Sequence, residues 1–235
     1  MKILAVDTAT ESCSVAIADA DLGTLTEVTS FRKETHSKHL LGMIRTALEL
    51  SGLGISDMDG FAVARGPGSF TGLRIGISTV KGFAAASGKP LAGVSNLDAL
   101  AFQFPFSPNL LCVLLDARRK EVYCACYRSE RGALRKETEE QTLSPDKAIA
   151  NIGEPCLFVG NGAVLYQKVV TEQKGEMAHF VPSCLNVIRA STVAHLGMER
   201  FEKNDVDDVA SFVPSYLRKS EAELNFEKKM NLYPD

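Results

Sequence analysis

The sequence lacks tryptophan, and it also lacks long uncharged apolar runs. Aromatic residues make up only 7% of the 235 positions. No apolar stretch approaches the ~20 residues that a membrane-spanning helix needs, and the apolar run within the N-terminal MKILAVDTAT is too short for a signal peptide. These absences predict a soluble, cytoplasmic protein that has no membrane partner.

An excess of positive charge is absent as well. Lysine and arginine number 26 against 29 aspartates and glutamates, which gives a net charge of −3. A module that binds RNA by itself carries a basic patch or a basic, aromatic-rich strand motif. The composition disfavours such a module but leaves room for a local patch, and we expect any RNA contact to need a partner.

Closely spaced cysteine pairs of the CxxC type are missing. The six cysteines lie mostly inside apolar runs, which is typical of buried, reduced thiols rather than of disulfides or zinc ligands. The two histidines at the start of the first predicted helix, His36 and His39, are three residues apart and have no acidic residue between them. Metal-binding helices of the zincin type place their histidines four apart with a glutamate, so we assign no metal site.

The stretch around which the chain is organised covers residues 66–95. A short apolar strand leads into the turn Gly66-Pro67-Gly68, and helix-compatible residues then continue to Gly88 and Pro90. The glycines follow a GxGxxxG pattern, which matches neither common phosphate-binding motif. We therefore predict a tightly packed strand-to-helix connection whose helix is capped by Ser69 or Thr71.

The order of patterns along the chain predicts an α/β fold with mixed sheets flanked by helices. Three apolar strands come first and a helix capped by Thr35 follows them, and the same sequence of patterns starts again after the turn-rich segment FPFSPN. The predicted units are a first lobe at 1–103, a second, degenerate lobe at 110–218 and a charged tail at 219–235. The predicted strands lie at 2–7, 14–19, 24–31, 61–64, 91–94, 110–116, 121–128, 132–139 and 156–159.

Two predicted strands end in an acid, Asp7 and Asp116, each followed by a turn into the next strand. Acids at such places organise a metal in proteins that bind phosphate, and glycines after them let the loop approach the phosphate. Ala9 stands where a glycine would help, and the second turn has none. We therefore predict no catalytic, cofactor-binding or metal-binding residue, while an ATP-dependent kinase or hydrolase that uses Asp7 and Asp116 stays open as the alternative.

Several motifs spread over nearly the whole chain together resemble the TsaB (YeaZ) family. They are Asp7-Thr8-Ala9-Thr10, His36-Ser37, GPGSFTGLRIG at 66–76 with Lys81-Gly82, Gly93-Val94-Ser95 with Leu97-Asp98-Ala99-Leu100, and Pro214-Ser215-Tyr216-Leu217-Arg218. The resemblance implies two ribonuclease-H-like lobes of the actin-like ATPase (ASKHA) type. It also implies a non-catalytic subunit of the bacterial machinery that makes threonylcarbamoyladenosine (t6A) next to the anticodon of tRNAs reading codons that begin with A.

The resemblance further implies partners and a contact surface. The catalytic TsaD-type subunit would bind this chain, a TsaE-type ATPase would join the pair, and tRNA would be reached indirectly through the complex. Without its partner, the subunit could self-associate through the same apolar surface. The alternative is that the small residues there only cover this protein's own sheet. The predicted contact residues, on the first two long helices, are His39, Met43, Thr46, Gly72, Ile75, Gly76 and Thr79.

Overall fold

A computed structural model describes residues 1–31 and 35–218, so the predicted tail at 219–235 lies outside the described residues. The first sheet begins with the predicted antiparallel meander of β1 (Lys2–Asp7), β2 (Ser12–Asp19) and β3 (Gly23–Phe31). Two further strands, β4 (Gly60–Gly66) and β5 (Leu91–Ser95), run parallel to β1. The strand order is β3-β2-β1-β4-β5.

Three helices connect and follow these strands: α1 (Leu40–Ser51), α2 (Phe70–Ser87) and α3 (Asn96–Ala101). The predicted start of α1 at Thr35 is wrong, because Thr35 precedes a single 3-10 turn and its side chain caps nothing. The predicted boundaries of α2 are confirmed. The Ser69 hydroxyl accepts a hydrogen bond from the Gly72 N–H at 3.2 Å, and Gly88 ends the helix with a left-handed φ of 66°.

The second sheet contains β6 (Leu110–Asp116), β7 (Val122–Glu130), β8 (Ala133–Lys136), β9 (Gln141–Leu143), β10 (Cys156–Val159) and β11 (Ala178–Phe180). Its order is β11-β10-β6-β7-β8, and β9 also pairs with β7. Taken from the other edge, β8-β7-β6-β10-β11 repeats the order of the first sheet, with antiparallel strands on one side and parallel strands on the other. This repetition confirms the predicted fold class of two ribonuclease-H-like lobes.

The remaining helices are α4 (Pro145–Ile149), α5 (Asn161–Leu165), α6 (Gln167–Lys174) and α7 (Ala190–Glu202). The sequence predicts one helix over 163–172, but the chain breaks it at Tyr166, whose φ of −107° and ψ of 19° are not helical. Helix α7 follows the second sheet in the chain but packs on the first, where a Cβ on Gly197 would lie 2.7 Å from the Ala62 Cβ. The division into lobes at 1–103 and 110–218 stays a prediction.

Three apolar cores fix the layers of the molecule. One core joins the facing sides of both sheets to α3 and α7 between them. A second lies between the outer face of the first sheet and helices α1 and α2, and a third between the second sheet and α4, α5 and α6. Helices α1 and α2 therefore form an outer layer. Across residues 1–31 and 35–218, no helix combines the length and apolar character needed to cross a bilayer.

Candidate functional site

A cleft of about 530 Å³ opens where the first sheet, the second sheet and the start of α2 meet. Ligands of open α/β sheets bind at the carboxyl ends of strands, and β1 and β6 both end here. Tyr123 of β7 also lines this cleft, and its burial raises the pKa of its hydroxyl. The cleft is lined by Ala9, Thr10, Glu11, Gly68, Ser69, Phe70, Thr71, Leu115, Asp116, Ala117, Arg118, Tyr123, Asn161, Tyr216 and Arg218.

The Gly66-Pro67-Gly68 turn packs directly on the β1–β2 turn. The Ser69 N–H donates to the Ala9 carbonyl at 2.7 Å, and a Cβ on Gly68 would lie 2.6 Å from that same oxygen. The backbone groups of the two turns thus bind each other. The structure thus contains the predicted tight strand-to-helix connection. At the first turn of α2, the Ser69 hydroxyl accepts the hydrogen bond from the Gly72 N–H.

Asp7, at the end of β1, is completely buried and does not line the cleft. Its Oδ1 accepts the Ala9 N–H at 3.0 Å, whereas Oδ2 has no hydrogen-bond partner in the described part of the chain. Burial disfavours the ionised form and raises the pKa of this carboxyl to about 7. A carboxyl in this position cannot reach a ligand in the cleft unless the β1–β2 turn rearranges.

Asp116, at the end of β6, has a different environment from Asp7. Side chains alternate along a strand, so Asp7 shares the inner face of its sheet with Ile3 and Ala5. Asp116 instead shares the outer face of the second sheet with Leu114 and its neighbours, and Leu115 takes the inner position. The two acids at corresponding strand ends therefore point to opposite sides of the two sheets.

The β6–β7 turn after Asp116 consists of basic residues in an unusual conformation. Arg118, Arg119 and Lys120 have φ values of 61°, 53° and 61°, a left-handed region that residues other than glycine seldom adopt. The Arg118 N–H donates to Asp116 Oδ1 at 2.8 Å, which holds the start of the turn. All three basic side chains are exposed.

Residues 214–218, which we call the C-terminal strap, cross the cleft and bind both of its walls. The Ser215 N–H donates to the Arg65 carbonyl at 2.7 Å, and the Tyr216 ring stacks on Phe70 at 4.5 Å between centroids. At its other end, Arg218 donates to the Ala117 carbonyl at 2.9 Å. The Pro-Ser-Tyr-Leu-Arg motif, which the sequence places in no element, is thus part of the cleft.

A second cavity, of about 420 Å³, lies between α7, the end of β5 and Glu140. Several charges of its lining are paired: Asp98 and Glu140 lie 2.8 Å and 2.9 Å from Lys136, and Arg200 lies 2.8 Å from Asp205. We assign no ligand to this cavity.

The predicted contact residues on α1 and α2 divide into an exposed and a buried part. Thr46 is exposed, and His39, Ile75 and Thr79 are half-buried. Met43 belongs to the core beneath α1 and is 8% exposed. Only part of the set is therefore available to another molecule in this conformation.

The two remaining residues of the set, Gly72 and Gly76, are buried and face Thr8. A Cβ on Gly72 would overlap the Thr8 carbonyl oxygen, and one on Gly76 would overlap the Thr8 hydroxyl. The Thr8 hydroxyl itself donates to the Gly72 carbonyl at 2.7 Å. These glycines let α2 approach the end of β1 within this chain, which is the alternative stated above for the small-residue strip.

Sequence reasoning missed other residues on the outer layer. Leu41 and Leu50 of α1 are 61% and 71% exposed, and a Cβ on Gly42 or on Gly82 would meet nothing within 4 Å. Glycine inside a helix is destabilising relative to alanine, so an open helix position gives no internal reason for it. The spacing of Gly42 from His39 and Thr46, three and four residues, puts all three on one side of α1.

One histidine of the His36–His39 pair contacts the β1–β2 turn. His36 Nε2 lies 2.8 Å from the Thr10 carbonyl oxygen, so one ring nitrogen is used in a contact with the β1–β2 turn. Within residues 1–31 and 35–218, no group of three or more histidine, cysteine, aspartate or glutamate side chains is arranged to hold a metal ion.

The repeated sheets, with helices on both sides and a cleft between them, define a two-lobed protein of the actin-like ATPase fold. Component A of the (R)-2-hydroxyglutaryl-CoA dehydratase from Acidaminococcus fermentans superposes with a TM-score of 0.52 and covers 85% of this chain and 98% of its own at 11% identity. Likeness at this level concerns the fold alone.

Sequence comparisons narrow the class to a family. A family model described as TsaD, tRNA N6-adenosine threonylcarbamoyltransferase, matches residues 25–226. The Bacillus subtilis protein named tRNA threonylcarbamoyladenosine biosynthesis protein TsaB is 30% identical over 95% of this chain and 96% of its own. A Pseudomonas aeruginosa protein of solved structure, described as uncharacterized and similar to peptidase YeaZ, superposes with a TM-score of 0.79 at 28% identity, covering 92% and 99%. The chain belongs to the TsaB (YeaZ) family.

Proposed function

We propose that this chain is the non-catalytic, scaffolding subunit of a cytoplasmic complex that threonylcarbamoylates the adenosine next to the anticodon of tRNA. Its partner is a TsaD-type catalytic subunit, which a TsaE-type ATPase joins. The proposal draws on the names of the curated relatives, which are t6A biosynthesis proteins, and on the family model named for the transferase.

The burial of Asp7 carries the non-catalytic part of the proposal. A phosphate-bound metal ion needs an ionised, accessible carboxylate, and Asp7 is sealed and has its pKa raised to about 7. The Gly68 turn fills the space beside Ala9, where a phosphate loop would have to lie. Both features favour a fold whose role is to be bound by another subunit.

The outer layer of α1 and α2 supports the scaffolding part. Leu41, which is 61% exposed, lies next to Gly42 on α1, whereas Leu50 lies nine residues further along, on the opposite side of the helix. Gly42 stands in open space and would let a helix of a partner approach closely beside Leu41. In the absence of that partner, two copies of this chain would pair through the same face.

The activity is tested by reconstitution. tRNA threonylcarbamoylation and ATP turnover are measured for this chain alone, for a TsaD-type subunit alone, and for both with a TsaE-type ATPase. The proposal expects modification only when the chain and the catalytic subunit are combined. ATP turnover by the isolated chain that Asp7→Ala abolishes would favour an actin-like kinase or hydrolase instead.

The interface is tested with a glycine that has no internal contact. Gly42→Arg adds a long charged side chain to the proposed surface without an internal clash, and Gly153→Arg, in a loop of the second lobe where a Cβ also meets nothing within 4 Å, is the matched control. The Gly42 variant should lose heterodimer formation on a sizing column while the control keeps it. Equal association of both variants would exclude α1 as the contact.

A bulky residue at Gly76 would not test the same point. Its Cβ would overlap the Thr8 hydroxyl, so loss of binding could follow from a disturbed fold. The open position at Gly42 avoids this ambiguity.

A further inference from the structure

Four of the six cysteines face one core beside the second sheet. Cys112 of β6, Cys124 and Cys126 of β7 and Cys156 of β10 all belong to the core between this sheet and helices α4, α5 and α6, and all four are free thiols. Strand β6 lies between β7 and β10, so Cys112 has the central position. We call these four residues the thiol cluster.

Cys112 and Cys126 lie directly opposite each other on antiparallel strands. The Cys126 N–H donates to the Thr138 hydroxyl at 2.9 Å, and the Cys126 carbonyl accepts from the Glu137 N–H at 2.8 Å. Both backbone groups of Cys126 therefore point away from β6, which makes Cys112 and Cys126 a non-hydrogen-bonded pair. In such a pair the Cα atoms are only about 4.5 Å apart, which is within the range that a disulfide spans.

The other two members of the thiol cluster are placed less favourably for a bond with Cys112. Phe158 is the residue of β10 opposite Cys112, and Cys156 lies two positions before it. On the other side, Cys124 lies opposite Leu114. Both cysteines are thus diagonal neighbours of Cys112, at a separation of about 7–8 Å, and a disulfide over more than about 7 Å between Cα atoms requires backbone movement.

The two thiols of the opposed pair differ in acidity and in access. The Cys112 thiol donates a hydrogen bond to the Cys126 sulfur, and this bond lowers the pKa of Cys126 and raises that of Cys112. Cys126 is 9% exposed, more than any other member of the thiol cluster, whereas Cys112 is completely buried. Since peroxides react with the thiolate form of cysteine, Cys126 is the thiol that an oxidant attacks first.

We propose that Cys112 and Cys126 are a peroxide-sensitive pair that closes to a reversible disulfide across β6 and β7. The Cys126 thiolate takes one oxygen atom from hydrogen peroxide, becomes a sulfenic acid and releases hydroxide. The Cys112 thiol then attacks the Cys126 sulfur, so that the S–O bond breaks, the S–S bond forms and water leaves. The two thiols supply the two electrons that reduce the peroxide, and a dithiol reductant restores both thiols by exchange.

This oxidation needs less space than the labelling of a thiol. Hydrogen peroxide leaves a single oxygen atom on the sulfur, and formation of the disulfide removes that atom again. A thiol-labelling reagent leaves a bulky group, for which a close-packed interior has no room. Burial of the thiol cluster therefore protects it from labelling without protecting the opposed pair from peroxide.

The bond affects the strands that carry it. Opposed Cβ atoms in an antiparallel pair are about 4.5–5.5 Å apart, and a disulfide holds them at about 3.5–4.5 Å, so oxidation draws β6 and β7 together. Strain of this kind makes a disulfide easier to reduce, as is typical of regulatory disulfides. The same hairpin ends in the β6–β7 turn, where the Ala117 carbonyl accepts from Arg218 of the C-terminal strap.

The test counts free thiols before and after oxidation of the folded chain. The Cys184→Ser variant is used, because Cys184 is exposed and would react in parallel. After treatment with a graded series of hydrogen peroxide concentrations and removal of the peroxide by catalase, the chain is unfolded in an alkylating reagent, and mass spectrometry counts the alkylated thiols and identifies cross-linked peptides. Two of the five remaining thiols should be lost together, in a peptide pair that joins Cys112 to Cys126, and dithiothreitol should restore both.

Two core variants, made in the same background, assign the roles. Cys156→Ala removes another buried thiol of the cluster and is the matched control, so it should keep the link between Cys112 and Cys126. Cys112→Ala should leave the sulfenic acid of Cys126 without a partner. A cyclic 1,3-dione added together with the denaturant should then label Cys126, which it should not label in the parent. Melting curves verify that each variant is folded.

The outcomes that would overturn the inference are distinct. Survival of all five thiols in the folded chain, a link from Cys112 to Cys156 or Cys124, or oxidation of Cys126 to a sulfinic acid without a cross-link would each do so. The same mixture of links in the folded chain and in the urea-unfolded chain would show that the fold does not select the pair. Because the assay uses the chain without partner or tRNA, its result is independent of the reconstitution that tests the proposed function.

Discussion

Replacing the buried Asp7 by asparagine should make the stability of this protein less dependent on pH. The carboxyl is completely buried, with one oxygen bound to the Ala9 N–H and the other without a partner among the described residues. Its pKa rises from an ordinary value of 3.8 to about 7 in the folded protein. Asparagine keeps the acceptor for the Ala9 N–H and has no charge to lose.

The direction and size of the effect follow from proton binding. Between pH 4 and pH 7 the folded protein holds a proton on Asp7 that the unfolded chain has released, so the free energy of unfolding falls as the pH rises. One pKa unit corresponds to 1.36 kcal/mol. Between pH 5 and pH 8 the protein should therefore lose about 3 kcal/mol through this single group, and the loss should level off above the folded-state pKa.

The assay is urea-induced unfolding at pH 5 and pH 8 of the parent, of Asp7→Asn, and of Asp21→Asn. Asp21, in the exposed β2–β3 turn, provides a control that removes the same charge from the surface. The stability difference between the Asp7 variant and the parent should move by about 3 kcal/mol in favour of the variant between the two pH values, and that of the control should stay constant. A pH-independent difference for the Asp7 variant would show that this carboxyl ionises normally, and the reasoning from its burial would fail.

Three further measurements follow from the packing. Gly76→Ala should lower the melting temperature, because its Cβ overlaps the Thr8 hydroxyl and overpacking costs about 1–3 kcal/mol. Gly42→Ala has open space around its Cβ and should raise the stability by about 0.5–1 kcal/mol. An equal response of the two variants would contradict the packing described. Arg218→Ala should destabilise the protein by about 1–3 kcal/mol in urea unfolding, since it removes charged hydrogen bonds to the β6–β7 turn; an unchanged midpoint would mean that the strap does not fasten the two walls. Cys184 is exposed and the other five cysteines are buried. A thiol reagent should therefore modify one cysteine quickly in the native protein and the other five only after unfolding, and rapid reaction of several thiols would refute their burial.

Much of the architecture could be predicted from local patterns. The fully apolar runs that became β1 and β6 are typical of buried central strands, and the signals that start and stop α2, Ser69 and Gly88, act through local hydrogen bonds and backbone freedom. The missed strands β9 and β11 have only three residues each. Such short edge strands have no periodicity to detect, and only their neighbours in the sheet define them.

The side to which a residue faces was harder to predict. A glycine at a helical position shows that something approaches closely, but not whether the neighbour belongs to the same chain. The sequence therefore predicts Gly72 and Gly76 on a partner surface, whereas Thr8 of the same chain lies against them. The difference between Asp7 and Asp116 was hidden for a related reason, because two strands can both end in an acid while their sheets present those acids to opposite sides.

The C-terminal strap has a consequence for how this molecule moves. In a two-lobed protein whose halves are joined only by a flexible connection, whatever sits in the cleft decides how far the halves stand apart. Here, residues 214–218 span the opening and are held at Arg65 by a backbone hydrogen bond and at Ala117 by the Arg218 side chain, so the strap limits the separation before any molecule arrives. Such a built-in brace presents an incoming subunit with one preset shape.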